Sequence, residues 1–462
     1  MQYAFHFNVE RCAQCFACEV ACKSAHNSRP RVQEEPGTCG PRFRQVVELK
    51  SEDSATPVQY VSMACMHCGD AACMAVCPAR AIYRDPQFGA VLADHSNCLG
   101  CRYCSWACEF GAPQFDRDGL MTKCDMCIDR LRKGFAPACV ESCCGGAITI
   151  GPVETARNAV REHAARELLP QAVFCSAMSI PLTQEERSES ALVAFTLLVS
   201  ASAGVALFAL AFGGGVRPAI TALALACVGM TGSITHLAKP LRAPTSLRNV
   251  RSSWLSREIA AVSVFWAFEL AWLGSEAALT VSQDSVQDVL AIASLSSRAF
   301  AVVGGALLLA VIARAYKVST RPAWCGPECL MELTACALGA GGALYAASAG
   351  LSLGGFGVVG IASAIAGVAG LALDVFSHRR RRLRLESLRE QSDERIPLTL
   401  TRYDELRSLV LAAWLVEIAA VLLAVATLFW VASLAQLVAH ALHRQVFYKL
   451  PVQVRYTAKL RK

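Results

Sequence analysis

From residue 191 to residue 447 the chain is a succession of apolar stretches broken by short polar or basic interruptions. An α-helix needs about 20 apolar residues to cross a hydrocarbon core about 30 Å thick. Stretches of that length lie at Ala191–Phe212, Pro218–Leu237, Ile259–Leu279, Ala299–Val318, Leu330–Leu351 and Gly355–Phe376. The last stretch, Leu409–Ala439, is long for one crossing and short for two. An even number of spans gives the stronger segregation of basic residues to one side, which makes eight spans, with a tight turn near Thr427, the preferred reading and seven the alternative. Upstream, the polar segment 176–190, with PLTQEERSES, reads as a linker, and residues 448–462 read as a basic tail. The pattern predicts an all-α polytopic membrane helix bundle over 191–447, attached to a separate polar module over 1–175.

Hydrophobic residues make up 54% of the chain and are concentrated in this second part, so the protein is half soluble module and half membrane protein. Positive charge is distributed unevenly. With eight alternating spans, one side carries 23 Lys and Arg residues, in segments 239–257, 314–321 and 379–407 and beyond Ala441, against Arg217 and Arg298 on the other. Short loops rich in Lys and Arg stay cytoplasmic. The expected location is therefore the inner, cytoplasmic membrane, with the N-terminal module on the cytoplasmic side. The opening MQYAFHF lacks the basic segment, apolar core and cleavage site of a signal peptide.

Seventeen of the first 143 residues are cysteines, and sixteen of these form four quartets. They are Cys12, Cys15, Cys18 and Cys22; Cys65, Cys68, Cys73 and Cys77; Cys98, Cys101, Cys104 and Cys108; and Cys124, Cys127, Cys139 and Cys143. In the first and third, three closely spaced cysteines let one loop wrap three corners of an iron-sulfur cubane while the fourth points elsewhere, and in two-cluster ferredoxins that fourth ligand serves the other cluster. The layout predicts an α+β double ferredoxin-like domain holding four 4Fe-4S clusters, with the sixteen cysteines as iron ligands. Zinc is the competing occupant, since CxxC units also suit tetrahedral thiolate sites. A compact CxxCxxCxxxC run, however, sets four thiolates too close in sequence for a zinc ribbon. A disulfide framework suits small secreted domains with dispersed cysteines instead. Cys39, Cys144, Cys175, Cys227, Cys325, Cys329 and Cys336 read as ordinary thiols, although Cys325 and Cys329 form a CxxxC that a redox or metal pair would also use.

Residues 1 to about 170 resemble the electron-transfer subunit of the dimethyl sulfoxide reductase family of molybdoenzymes. The resemblance is carried by CMHCGDAACMAVCP, CLGCRYCSWAC, GLMTKCDMC and GAITIGPVE. Departures are Glu109 and Cys144, where proline would be usual, and Cys39 in an inserted loop; none removes a ligand. From about residue 190 the chain looks like the membrane anchor subunit of the same enzymes, in THLAKPLRAPTSLRNVRSSWLSREI (Thr235–Ile259), RPAW (Arg321–Trp324) and HRQVFY. The resemblance implies a fusion of two subunits that are usually separate, and a third, molybdopterin-containing catalytic partner. It also implies a ligand pairing: Cys12, Cys15 and Cys18 with Cys143; Cys124, Cys127 and Cys139 with Cys22; Cys65, Cys68 and Cys73 with Cys108; and Cys98, Cys101 and Cys104 with Cys77. The third quartet is complete, so all four clusters are expected to be four-iron.

Ionisable residues inside or bordering spans are candidate functional groups because burying charge in hydrocarbon is costly. His236 closes the second span, on the side expected to carry the clusters. An imidazole with an ordinary pKa near 6.5 can take a proton released by a quinol; within HLAKPLRA, quinol contact is preferred to a capping role. Arg242, Arg257 and Glu258 in the same loop would shape the pocket or relay protons, with topology signal or lipid-headgroup contact as the competing role for the arginines. Glu269, Glu332, Asp374 and Glu417 lie in or near apolar runs without an assigned role. Haem is not expected, because His236, His378, His440 and His443 read as lying near span ends. No GxGxxG or Walker-type loop occurs, so the terminal-substrate site is expected on the partner, and no nucleic-acid partner is expected. The preferred reading is an electron-transfer and anchor subunit that oxidises menaquinol from the membrane pool. The same architecture run in reverse, from an oxidative partner to quinone, is the nearer alternative; a zinc-bearing membrane scaffold or sensor is the distant one.

Overall fold

The computed structural model describes residues 2–8, 11–26, 42–49, 59–152, 189–235, 237–282, 284–318, 320–350, 357–389, 395–426 and 428–450. They fall into two compact units, one containing the described residues up to 152 and the other those from 189 to 450. Most of the linker 176–190, most of the tail 448–462, and Cys39, Cys175 and His236 lie outside the described residues.

Among the described residues the first unit has four short antiparallel ladders and five short helices. Strand β1 (Tyr3–Phe7) pairs with β8 (Ile148–Pro152), β2 (Arg44–Leu49) with β3 (Gln59–Ala64), β4 (Ile82–Arg84) with β5 (Val91–Ala93), and β6 (Gln114–Phe115) with β7 (Met121–Thr122). The helices are α1 (Ala17–Ala25), α2 (Ala72–Val76), α3 (Tyr103–Ala107), α4 (Ile128–Arg132) and α5 (Ala138–Glu141). Cysteines dictate much of this brevity. Helix α2 stops at Cys77, which is extended at φ −66° and ψ 113° because Pro78 disfavours the α region for the residue before it. The β1–β8 ladder, with Phe5 opposite Ile150, joins the two ends of the unit. Helix α1 then packs on α5, and α2 on α3. The first quartet is thus brought to the fourth, and the second to the third.

The second unit is helical. Its elements are α6 (Ser190–Phe212), α7 (Val216–Thr235), a 3-10 segment (Pro240–Asn249), α8 (Trp254–Val281), α9 (Asp284–Ala315), a 3-10 turn (Pro322–Trp324), α10 (Glu328–Ser348), α11 (Val358–Ser387), α12 (Arg395–Glu405), α13 (Arg407–Val425) and α14 (Phe429–Lys449). Among the described residues seven helices, all but α12 and α14, are long and apolar enough to cross a membrane. The run Leu409–Ala439 is divided around position 427, between α13 and α14. With 21 residues, α14 is about 31 Å long at 1.5 Å per residue, enough to cross. Its apolar content is lowered by Gln436, His440, His443 and Arg444, all of them buried.

Several helix ends differ from the expected spans. Helix α8 begins at Trp254 rather than Ile259, because Ser253 caps it, with its Oγ accepting from Ser256 N–H at 3.4 Å. Helix α9 begins at Asp284 instead of Ala299 and ends at Ala315 instead of Val318. Its polar first part is accommodated by Ser294, whose hydroxyl donates to Glu276 at 2.7 Å. Helix α11 runs past Phe376 to Ser387, since Arg381 and Leu385 on that extension are fully buried. At the centre lie α6 and α10, whose apolar windows are 72% and 78% buried. Small residues permit their approach. A Cβ on Gly204 would fall 1.9 Å from the Ala337 carbonyl oxygen, and one on Gly341 2.5 Å from Gly204 Cα. Close backbone contact of this kind replaces the hydrophobic effect as the driving force between helices in lipid.

Candidate functional site

The cysteine loops curl tightly because several of their residues take the left-handed conformation: Gln14 and Phe16, His67, Arg102, and Met126 and Cys127 all have positive φ. This turns backbone N–H groups inward onto sulfur. Ala81 N–H lies 3.2 Å from Cys77 Sγ, Gly100 N–H 3.4 Å from Cys98 Sγ, Met126 N–H 3.4 Å from Cys124 Sγ and Ala147 N–H 3.2 Å from Cys143 Sγ. Cys12, Cys15, Cys18 and Cys143 line one cavity. Cys22 packs against Cys124 and is an electrostatic neighbour of Cys127 and Cys139. Cys65, Cys68 and Cys108 are charge neighbours of Cys73, and Cys77, Cys98 and Cys101, together with Cys73, are those of Cys104.

Two buried cations sit among these sulfurs. Arg44, 3% exposed, has Cys18, Cys22, Cys124 and Cys139 as its charge neighbours, and its Nε and Nη2 find no hydrogen-bond acceptor. Lys123, also buried, binds the Val91 and Cys124 carbonyls and is a charge neighbour of Cys73. Burial alone opposes a charged guanidinium, yet the surrounding thiols hold Arg44 above its usual range. A buried cation ringed by four cysteines, with only its Nη1 hydrogen-bonded, to Ser62, fits thiolates that carry an anionic cluster. His67 accepts from Val91 N–H at 3.0 Å through Nδ1, and burial and Lys123 hold its imidazole far below its usual range. Cys144 is exposed, with its sulfur 3.7 Å from Cys15 Sγ.

In the second unit the expected quinol residues part company. Arg242 is exposed on the 3-10 segment. Arg257 braces its own loop: Nε donates to the Val250 carbonyl at 2.9 Å, Nη2 to the Arg251 carbonyl at 2.7 Å, and the guanidinium lies 4.2 Å from the Trp254 ring centroid. Glu258 is buried on α8 and has Arg444 and Tyr316 as charge neighbours. Arg444 donates to the Tyr448 hydroxyl at 3.3 Å and to Thr196 Oγ1 at 3.2 Å, and Tyr448 meets the Tyr316 hydroxyl. RPAW and HRQVFY are adjacent here. Trp324 stacks on Phe447 with centroids 5.2 Å apart, and its indole N–H donates to the Phe447 carbonyl at 2.8 Å.

Sequence reasoning missed Arg444, Tyr316 and Tyr448; the available signal was an arginine just before VFY inside an otherwise apolar run. It also read Arg381 and Arg444 as topology charges, whereas both are buried and both pair with Glu332, at 2.6 Å and 3.7 Å. The placement of His378, His440 and His443 near span ends is corrected as well. All three are buried within α11 and α14, because they face neighbouring helices. Glu269 is buried against the Ser202 hydroxyl. Cys325 and Cys329 have separate partners, the Val318 carbonyl and Arg444.

Comparison with known proteins covers both units. Residues 186–450 match the family described as DMSO reductase anchor subunit (DmsC), and residues 56–153 match a 4Fe-4S dicluster domain. An anaerobic dimethyl sulfoxide reductase polypeptide of Shigella flexneri is 40% identical over 183 residues, covering 37% of this chain and 84% of the relative. Its counterpart in Escherichia coli (strain K12) is 39% identical with the same coverage. A sulfite dehydrogenase subunit of Allochromatium vinosum is 33% identical over 189 residues, covering 37% of this chain and 78% of the relative.

Proposed function

Because this protein belongs to the DMSO reductase anchor subunit family and carries in the same polypeptide an electron-transfer domain similar to the anaerobic dimethyl sulfoxide reductase relatives, we propose that it oxidises menaquinol and passes the electrons through four 4Fe-4S clusters to a molybdopterin-containing catalytic partner. The partner would reduce an S-oxide, an N-oxide or a related acceptor. The chain is an electron-transfer and membrane-anchor subunit; the quinol, the cluster count and the partner's cofactor are the proposal. The observation that carries it is the convergence of sixteen cysteines, first quartet with fourth and second with third, with Arg44 and Lys123 buried among them, in one chain with a multi-pass anchor.

The proposed ligand sets are Cys12, Cys15, Cys18 and Cys143; Cys124, Cys127, Cys139 and Cys22; Cys65, Cys68, Cys73 and Cys108; and Cys98, Cys101, Cys104 and Cys77. A four-iron cluster, when bound, accepts and passes single electrons. Arg44, Lys123 and the inward N–H groups offset negative charge at the sulfurs and favour acceptance of an electron. Oxidation of a quinol releases two electrons and two protons. Glu258, buried beside Arg444 and Tyr316, would accept a proton, and His236 is the second proposed acceptor; Arg242 and Arg257 shape the loop beside them. The basic loops favour the inner membrane with the iron-sulfur domain cytoplasmic.

The reverse flow, from an oxidative partner to quinone, is supported by the similarity to a sulfite dehydrogenase subunit. Stopped-flow oxidation of a menaquinol analogue by the purified chain in nanodiscs tests the main reading. Glu258→Gln and His236→Ala should each slow cluster reduction by quinol on the order of 10²-fold, as loss of a positioned base does, while dithionite still reduces the clusters. Wild-type rates in both variants would overturn the quinol assignment. Reduction of quinone by the prereduced chain, with no reduction of clusters by quinol, would select the reverse reading.

A further inference from the structure

Four side chains from three helices converge inside the second unit, and none of their carboxylate oxygens meets a hydrogen-bond donor. Asp374 on α11, Glu417 on α13 and His440 and His443 on α14 are each 2% exposed or less. His440 Nδ1 lies 3.1 Å from Asp374 Oδ2 and 3.5 Å from Glu417 Oε1; His443 Nε2 lies 3.9 Å and 3.7 Å from the same two oxygens. Both oxygens of each carboxylate and His443 Nε2 lack a hydrogen-bond partner, so even the 3.1 Å contact does not lie along an N–H direction. Two unpartnered carboxylates inside a membrane bundle are costly unless protons or a cation neutralise them.

A hydrogen-bonded chain holds His443 from behind. The Tyr403 hydroxyl lies 3.2 Å from the His378 carbonyl and 2.8 Å from His378 Nδ1, and His378 Nε2 lies 2.9 Å from His443 Nδ1. In the tautomer in which His443 Nδ1 donates to His378, His443 Nε2 presents a lone pair toward the carboxylates, as a metal ligand requires.

We propose that Asp374, Glu417, His440 and His443 bind one zinc ion tetrahedrally, closing α11, α13 and α14 around it. Zinc bonds of about 2.0–2.2 Å to nitrogen and oxygen set ligand atoms about 3.4 Å apart in a tetrahedron. Of the six ligand pairs, the four carboxylate–imidazole distances run from 3.1 to 3.9 Å. Asp374, Glu417 and His440 already place one ligand atom each within 4.8 Å of one another, and His443 moves in to complete the set. One dication and two carboxylates give a neutral site. The His378–Tyr403 chain orients His443, as hydrogen-bonded partners of metal-binding histidines do. With four protein ligands and no open position, the site is structural rather than catalytic. It does not depend on the quinol reading.

Elemental analysis and zinc-edge X-ray absorption on the full-length chain, purified in detergent and washed with chelator, test the proposal. The expected result is about one zinc per chain in addition to cluster iron, with a nitrogen and oxygen shell near about 2.0 Å and no sulfur shell. Asp374→Asn combined with Glu417→Gln should lower zinc to under about a tenth per chain while iron is unchanged. If that variant does not accumulate, the absorption spectrum of the wild-type chain decides alone. A zinc-free wild type with full iron content, a sulfur shell near about 2.3 Å marking zinc in the cysteine loops, or a double variant that keeps its zinc would each overturn it.

Discussion

Glu332 is the carboxylate on which two buried guanidinium groups depend, and its removal should be among the most damaging single changes in the membrane unit. It is 2% exposed, and it faces Arg381 at 2.6 Å and Arg444 at 3.7 Å, themselves 0% and 3% exposed. Among the described residues, Arg381 has no other acidic partner within 4.0 Å. Breaking a buried ion pair by removing one partner costs about 3–5 kcal/mol. Glu332→Gln keeps the shape but removes the charge; the 2.6 Å contact is an ion pair without an aligned N–H, so a dipolar contact of the amide with Arg381 recovers at most about 1 kcal/mol. The net loss should be about 2–4 kcal/mol, a factor of roughly 30 to 1,000 in the folding equilibrium at 1.4 kcal/mol per tenfold. SDS-titrated unfolding in mixed micelles, followed by tryptophan fluorescence, measures it. The double variant Glu332→Leu with Arg381→Met should lose less than Glu332→Leu alone, because both members of the closer pair are then gone. A Glu332→Gln protein within about 0.5 kcal/mol of wild type, the range typical of surface changes, would refute the buried-charge reasoning.

Gly204→Ala sets a methyl group 1.9 Å from the Ala337 carbonyl oxygen and should destabilise the unit by about 1–3 kcal/mol or more, as overpacking does; Gly274→Ala, where a Cβ meets nothing within 4 Å, is the matched control in the same unfolding assay. The anaerobically purified chain should hold about sixteen iron and sixteen sulfide, and Cys104→Ser should convert one cluster to a three-iron form or lose it, read by iron analysis and electron paramagnetic resonance. Stoichiometric zinc in place of that iron would contradict the cluster reading. Cysteines introduced at Arg389 or Arg402 should resist impermeant maleimide in intact cells and react after lysis, because the basic loops favour the cytoplasm; labelling from outside would reverse the topology.

What could be read in the sequence alone was whatever is written in neighbouring residues. The curl of a CxxC loop is local, so Cys98, Cys101 and Cys104 announce a cluster before any fold is known. Apolar length is also local, but it left Leu409–Ala439 between one crossing and two, and the preference for dividing it near residue 427 came from the distribution of basic residues. Which face of a helix points inward is not local. Hydropathy counts what a helix contains and is blind to direction, so His440, His443 and Arg444 looked like boundary residues, although each turns toward α10, α11 or α13 and is buried. Arg381 was indistinguishable from the exposed Arg379 and Arg380 beside it, because one helical position, about 100° of rotation, separates a buried ion pair from solvent. RPAW and HRQVFY were visible as motifs more than a hundred residues apart. That Trp324 stacks on Phe447, and that two carboxylates meet two imidazoles inside the bundle, was decided only when helix packing brought distant segments together.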